Sequence, residues 1–308
     1  MARREYDLTS LQNRRDMAHF IALTEDRTSE TSPQSRARWD RRAEDWERKR
    51  LREPGDNWRV EQAVAFLQNR GLLEPGMDVA DIGCGPGRFA AAFAPFVRQV
   101  TGFDLSERMV AYGVDQARRE GVDNVFFRVC DFQSLDVAGE GLAGAFDLVF
   151  SSLTPAVRSL EGLEKMMTMS RAYCCHITHL SGEEPLLRRA MEEALGRSPQ
   201  PRWNGRWFYA LFSLLFLLGY DPEVSYDRRV RERRLPASRD QAALLLEQLL
   251  PPAERGTKET EALYRWLQEN AEEDGTVLQH SETCYGRVVW DVRLRTERPD
   301  YGAGAWEE

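Results

Sequence analysis

Lysine is almost missing from this chain: its 42 basic residues are 39 Arg and 3 Lys. No phosphate-binding logic requires the removal of Lys, so the bias reads as genome composition and carries little functional information. Positive charge is not in excess either. Against 50 acidic residues the net charge is −8, which opposes the approach of phosphates and argues against a nucleic-acid partner. Paired cysteines are absent: Cys84, Cys130, Cys174, Cys175 and Cys284 form no C-x-x-C, and their odd number points to reduced thiols. The opening Met-Ala-Arg-Arg-Glu-Tyr-Asp lacks the apolar core of a signal peptide, so the expected location is cytoplasmic. Long apolar runs are also lacking. The longest, Trp207 to Tyr220, has 14 residues including Ser213 and Gly219, whereas a bilayer crossing needs about 20. It reads as a buried helix, with no membrane partner.

What is present is the composition of a folded soluble chain, 30% charged and 42% hydrophobic over 308 residues. A chain of this length can bury about three quarters of its unfolded surface, so no disulfide or structural metal is needed. One elaborated domain or two is expected.

Residues 1–70 are helical and polar and read as an N-terminal cap. Ser32-Pro33 starts a helix that runs to about Leu51, with Trp39, Ala43 and Trp46 on one face. Pro54-Gly55 breaks it, and a second helix runs from Val60 to Arg70. From Met77 short apolar runs alternate with helical stretches, the pattern of βαβ units and a parallel sheet. Strands are expected at Met77–Ile82, Gln99–Phe103, Val125–Val129, Phe146–Phe150 and Tyr173–Thr178. Helices are expected at Arg88–Phe96, Glu107–Glu120, Leu160–Met169 and Pro185–Gly196. A further strand is placed near Glu223–Tyr226 and a last one at Tyr285–Arg295, paired as an antiparallel hairpin with a helical insertion, 236–275, at its tip. Residues 71–298 thus form the main domain, and 299–308 a flexible tail.

The strongest local signal is Asp81-Ile82-Gly83-Cys84-Gly85-Pro86-Gly87-Arg88. A strand ends in glycines and opens into a helix, so backbone amides can approach a ligand closely. Gly85 to Ala90 also satisfies the dinucleotide form G-x-G-x-x-A. Asp81 argues against that reading, because a carboxylate two residues before the first glycine would repel a pyrophosphate and attract an amino group.

These residues resemble the first motif of class I S-adenosylmethionine-dependent methyltransferases, acid-x-Gly-x-Gly-x-Gly. The likeness continues through residues 39–179. Asp104 in Phe103-Asp104-Leu105-Ser106 ends the second strand, matching the family's acid for the ribose hydroxyls, with Leu105 and Met109 beside it. Asp131 and Phe132 match the adenine-binding position after the third strand. Phe146-Asp147-Leu148-Val149-Phe150-Ser151 matches the fourth strand, which leads into the active site and adds Ser151 to the cofactor set. Trp39-Asp40-Arg41-Arg42-Ala43-Glu44-Asp45-Trp46 looks like the N-terminal helix of small-molecule members, which lies over the cofactor through residues such as Trp39 and Trp46; docking on the back of the sheet is the other reading. The resemblance implies a Rossmann-like, doubly wound α/β sheet of seven strands with the last antiparallel, S-adenosylmethionine as cofactor, and a small-molecule acceptor. A non-catalytic cofactor-binding module and an RNA-modifying enzyme are the alternatives.

After the fourth strand the chain reads Ser151-Ser152-Leu153-Thr154-Pro155, not the Asn/Asp-Pro-Pro-aromatic motif of many amino-methylating enzymes. The bases on offer are few. Cys174-Cys175-His176-Ile177-Thr178-His179 suggests a metal, but strand alternation splits its ligand types between two faces, so no metal is expected. His179, at the end of the fifth strand, is the expected catalytic residue facing the acceptor. Arg228-Arg229-Val230-Arg231-Glu232-Arg233-Arg234 is the one basic cluster, expected to be neutralised by nearby acids.

Overall fold

The computed structural model describes residues 15–24, 32–52, 57–198, 205–299 and 301, with the side chains of 44–52 not among them. The break at Pro54-Gly55, the loop bearing Trp203, the side chain of Trp46 and, Pro299 and Tyr301 apart, the expected flexible tail lie outside the described residues. The elements are α1 (Arg15–Thr24), α2 (Ser32–Arg52), α3 (Trp58–Gln68), β1 (Asp78–Ile82), α4 (Arg88–Phe93), β2 (Gln99–Asp104), α5 (Glu107–Glu120), β3 (Val125–Val129), β4 (Phe146–Ser152) and α6 (Leu160–Met169). There follow β5 (Ser170–Glu183), α7 (Pro185–Arg189), α8 (Arg206–Leu217), β6 (Glu223–Pro236), α9 (Arg239–Leu249), α10 (Thr257–Glu269) and β7 (Thr276–Asp291).

Seven strands form one sheet in the order β3-β2-β1-β4-β5-β7-β6. The five strands from β3 to β5 are parallel neighbours. β6 and β7 run antiparallel. Arg228 bonds Glu282, Arg234 bonds Thr276 and, just beyond the strand ends, Ala237 N–H donates to Gly275 O, a register in which one number rises as the other falls. The doubly wound α/β architecture expected from the alternation is therefore present.

The central strand β1 is buried at all five positions, as a strand covered on both faces must be. On one face α4 packs Phe89 and Phe93 onto Phe150 of β4, with ring centroids 4.9 and 5.0 Å apart; aromatic pairs of this kind add about 0.5–1.5 kcal/mol each beyond area burial. On the other, Met166 of α6 lies against Ser151, and Trp207 of α8 against His176. At the amino ends of the strands Asp78 bonds Arg98 and Arg171, while Asp147 accepts Asp78 N–H at 2.8 Å and Arg171 Nε at 2.6 Å. Asp147, part of the fourth-strand match, thus ties the sheet together at the end away from the glycine loop.

The chain divides into two compact units: residues 1–178 with 206–225 and 286–308, and residues 179–205 with 226–285. The second has its own apolar core, in which Leu186, Leu187 and Ala190 pack with Leu245, Leu246, Leu263, Trp266 and Leu267. The helix expected over Pro185–Gly196 is instead α7 followed by a π-helical turn at Ala190–Ala194. The strand expected to stop near Tyr226 runs on to Pro236 and carries the arginine cluster with it. Its partner β7 begins at Thr276, nine residues before the expected Tyr285, and supplies Glu282 opposite Arg228, while Glu272 just before the strand pairs with Arg234. The alternation was hidden because long Arg side chains stand where apolar ones would mark a strand.

Candidate functional site

The carboxyl ends of β1, β2 and β4 converge on Gly83-Cys84-Gly85-Pro86-Gly87. All three glycines are left-handed, with φ of +67°, +55° and +76°. Two are required by packing: a Cβ on Gly83 would overlap Thr154 Oγ1, and one on Gly87 would overlap the Phe127 ring. Gly85 differs. Nothing in the protein lies within 4 Å of a Cβ placed there, so the open side of the loop is at Gly85. Cys84 is buried, its Sγ donating to Gly85 O at 3.4 Å, and burial holds the thiol well above its ordinary pKa. It acts as a small packing residue against Gly102.

Two acids face this loop. Asp104 accepts Gly85 N–H at 2.8 Å on Oδ2 and Ser106 N–H at 2.9 Å on Oδ1. Burial raises its pKa, with the two backbone donors opposing the shift. Asp81 is 1% exposed, its Oδ2 has no hydrogen-bond partner, and burial plus the charge of Asp104 push its pKa up to about 8. An unpaired buried carboxyl beside a second acid is costly, and a cationic ligand group would relieve it.

α2 reaches the same end of the sheet. Asp40 accepts Ser106 Oγ–H at 2.5 Å, and Arg36 pairs with Glu107 at 3.5 Å. Ser106 is the N-cap of α5, taking Met109 N–H at 3.1 Å, so one hydroxyl joins the cap, the helix start and the turn of Asp104. These contacts place Arg36 and Asp40 of α2 beside the β2–α5 turn. Trp39 is half-buried, its ring flanked by the Arg38 and Arg42 guanidiniums at 5.5 and 4.9 Å. Leu105 is half-buried and Met109 buried, both in this turn. Asp131 Oδ1 takes Gln133 N–H at 3.2 Å, closing an Asx turn, and Phe132 is buried beside it.

Ser151 is not brought to the loop. In the β1–β4 register Asp81 pairs with Phe150 and Ile82 with Ser151, so Ser151 points to the face opposite Asp81. There Trp207 Nε1–H donates to His176 Nε2 at 3.0 Å. An indole can only donate, so the other ring nitrogen carries the proton, and His176 Nδ1–H donates to Ser151 Oγ at 2.8 Å. Burial pushes the His176 pKa down to about 3, with Arg158 adding to the shift. This Ser–His pair is therefore no nucleophile and base: both imidazole nitrogens are already committed. His179, the expected base, lies in the second unit with its ring edge-on to Tyr285 at 5.8 Å and its pKa lowered by burial. Tyr264, also in the second unit, packs on that unit's core under Arg239. Among the described residues no group of three His, Cys, Asp or Glu is placed to hold a metal ion.

Sequence reasoning missed Asp40, Ser152, Thr154 and His176. Only the positive φ at Leu153, +54°, marks the β4 exit as unusual, and no residue type signals it.

Residues 79–193 match the family model of a methyltransferase domain. An uncharacterized methyltransferase of Schizosaccharomyces pombe, C750.03c, is 30% identical over 139 residues, 44% of this chain and 84% of that protein. The uncharacterized methyltransferase YcgJ of Bacillus subtilis is 24% identical over 179 residues, 53% of this chain and 67% of that protein; its crystal structure superposes with a TM-score of 0.43 at 15% identity, covering 74% of this chain and 98% of that one. The 23S rRNA (uracil(1939)-C(5))-methyltransferase RlmD of Aeromonas hydrophila is 39% identical over 100 residues, and the match spans 32% of this chain but only 21% of that protein.

Proposed function

Because this chain belongs to the class I S-adenosylmethionine-dependent methyltransferases, its reaction is methyl transfer from that cofactor, and we propose that the acceptor is a small molecule. The cofactor supplies a methyl group on a sulfonium, which passes by direct displacement to a nucleophile held in line.

The residues at the glycine loop fit this cofactor. The open side at Gly85 leaves room for close backbone approach. Asp81, buried and unpaired at Oδ2, suits the cofactor's amino group. Asp104 uses one lone pair of each oxygen on the loop and the turn and keeps the others for ribose hydroxyls. Asp131 and Phe132 are assigned to the adenine, and Cys84, Leu105 and Met109 to the apolar wall beside it. Trp39 is assigned to the covering helix, and His179 to the acceptor side. Ser151 is assigned instead to holding His176.

The observation that carries the small-molecule reading is the bond from Ser106 to Asp40, which ties α2 to the β2–α5 turn beside Asp104. A covered site suits an acceptor that can be enclosed and shielded from water. The arginine cluster supports the same reading: Arg228 pairs with Glu282, and Arg234 with Glu272 and Asp274. The rRNA-enzyme likeness favours RNA, but it spans only about a fifth of that protein. Transfer of label from methyl-tritiated cofactor separates the two. With cell extract as acceptor source, label is expected in the fraction below about 1 kDa; label in RNA that ribonuclease releases would reverse the assignment.

A further inference from the structure

Asp81 Oδ2 is not the only buried polar atom without a hydrogen bond on its face of the sheet. Ser152 Oγ is another. Asp81 pairs with Phe150, and Ser152 lies two residues further along β4, so both side chains project to the face that carries Phe89 and Phe93 of α4. Ile82 pairs with Ser151, which sets Ser152 opposite Gly83, the first residue of the glycine loop. The chain runs outward from β1 to β2 and β3 and then crosses to β4 on the other side, so β1 and β4 flank the switch point where open α/β sheets bind ligands.

Two further observations mark this strand end. Leu153, the next residue, holds a left-handed φ of +54°, a conformation that costs a branched residue and persists only where its surroundings impose it. Thr154 then fills the space beside Gly83, fixing the β4 exit against the loop. Two of the other buried atoms without a hydrogen bond lie elsewhere. Thr178 Oγ1 is on the His176 face, and Trp290 Nε1 is on β7, three strands from β1.

The chemistry follows from charge. The amino-acid end of S-adenosylmethionine carries an ammonium and a carboxylate. Asp81 and Asp104 can receive the ammonium but repel the carboxylate, which needs a donor. A serine hydroxyl donates. We propose that Ser152 is a cofactor-binding residue whose hydroxyl donates to the carboxylate of the cofactor's amino-acid end, while Asp81 takes the ammonium. This rests on the assignment of the glycine loop to the cofactor. Ser152 therefore selects for the amino-acid moiety and not for the adenosine.

Two ligands separate these parts: S-adenosylhomocysteine, and 5′-methylthioadenosine, which keeps the adenosine and sulfur but has no amino-acid end. Calorimetry on wild type, Ser152→Ala and Ser152→Thr is accompanied by melting temperatures to register any damage to the fold. Ser152→Ala is expected to bind S-adenosylhomocysteine about tenfold more weakly, the cost of one charged hydrogen bond, with methylthioadenosine affinity unchanged. Ser152→Thr, which keeps the hydroxyl, is expected to recover most of the loss. Unchanged S-adenosylhomocysteine affinity in Ser152→Ala, or an equal loss for both ligands, would overturn the proposal while leaving the cofactor assignment standing. Failure of wild type to bind either ligand would remove both.

Discussion

Asp81 is the residue least comfortable without a ligand. Its unfolded form ionises above about pH 4, whereas in the folded protein it keeps its proton to about pH 8. Between these values the native state binds the extra proton, so this group's contribution to stability is full below about pH 4 and is lost as pH rises to about 8. Asp81→Asn imitates the neutral acid. Its melting temperature is expected to exceed that of wild type increasingly from pH 5 to about 8 and by a constant margin above that, while its affinity for S-adenosylhomocysteine falls; a pH-independent difference between the two proteins would show that Asp81 is not a strained acid. Asp104→Ala removes a charged acceptor and is expected to weaken the same ligand by about 1.5–3 kcal/mol, measured by calorimetry; an unchanged Kd would dissociate Asp104 from the cofactor. Both acids were legible in the sequence, because each sits at a fixed offset from a glycine or a strand end. Ser152 and His176 were not. What distinguishes them is which face they share with Asp81 or Trp207, and that depends on the β1–β4–β5 register, which no local pattern encodes.

Among the elements, α2 couples the polar N-terminal region to the cofactor end. Its one described bond to the β2–α5 turn runs through Asp40 and Ser106. Breaking it with Asp40→Ala is expected to speed amide exchange across residues 32–43, and adding S-adenosylhomocysteine to wild type is expected to slow it. Exchange that ignores both changes would mean that the helix is held elsewhere and does not respond to the cofactor. The strands from β1 to β3 were readable because short apolar runs end in or just before a glycine or an acid. β6 was read too short because arginines occupy five of the seven positions 228–234. Their charges meet acids on and just before a strand, 54 and 38 residues away for Arg228 and Arg234, so the neutralisation was legible as a need but its partners were not.

For the whole molecule, the net charge of −8 and the paired arginines leave little to attract a polyanion. Structured RNA is therefore expected to bind only weakly at physiological salt, and electrophoretic mobility with purified rRNA checks this; submicromolar, salt-sensitive binding would move the acceptor assignment to RNA. The second unit carries its own core, so it is a distinct packing body. Everything assigned to the first unit depends on the glycine loop and its two acids holding S-adenosylmethionine. The direct measurement is calorimetric titration of the full chain with S-adenosylhomocysteine at pH 7.5. Saturable binding of one ligand per chain, with a raised melting temperature, is the expected result; no heat and no stabilisation at millimolar ligand would contradict it.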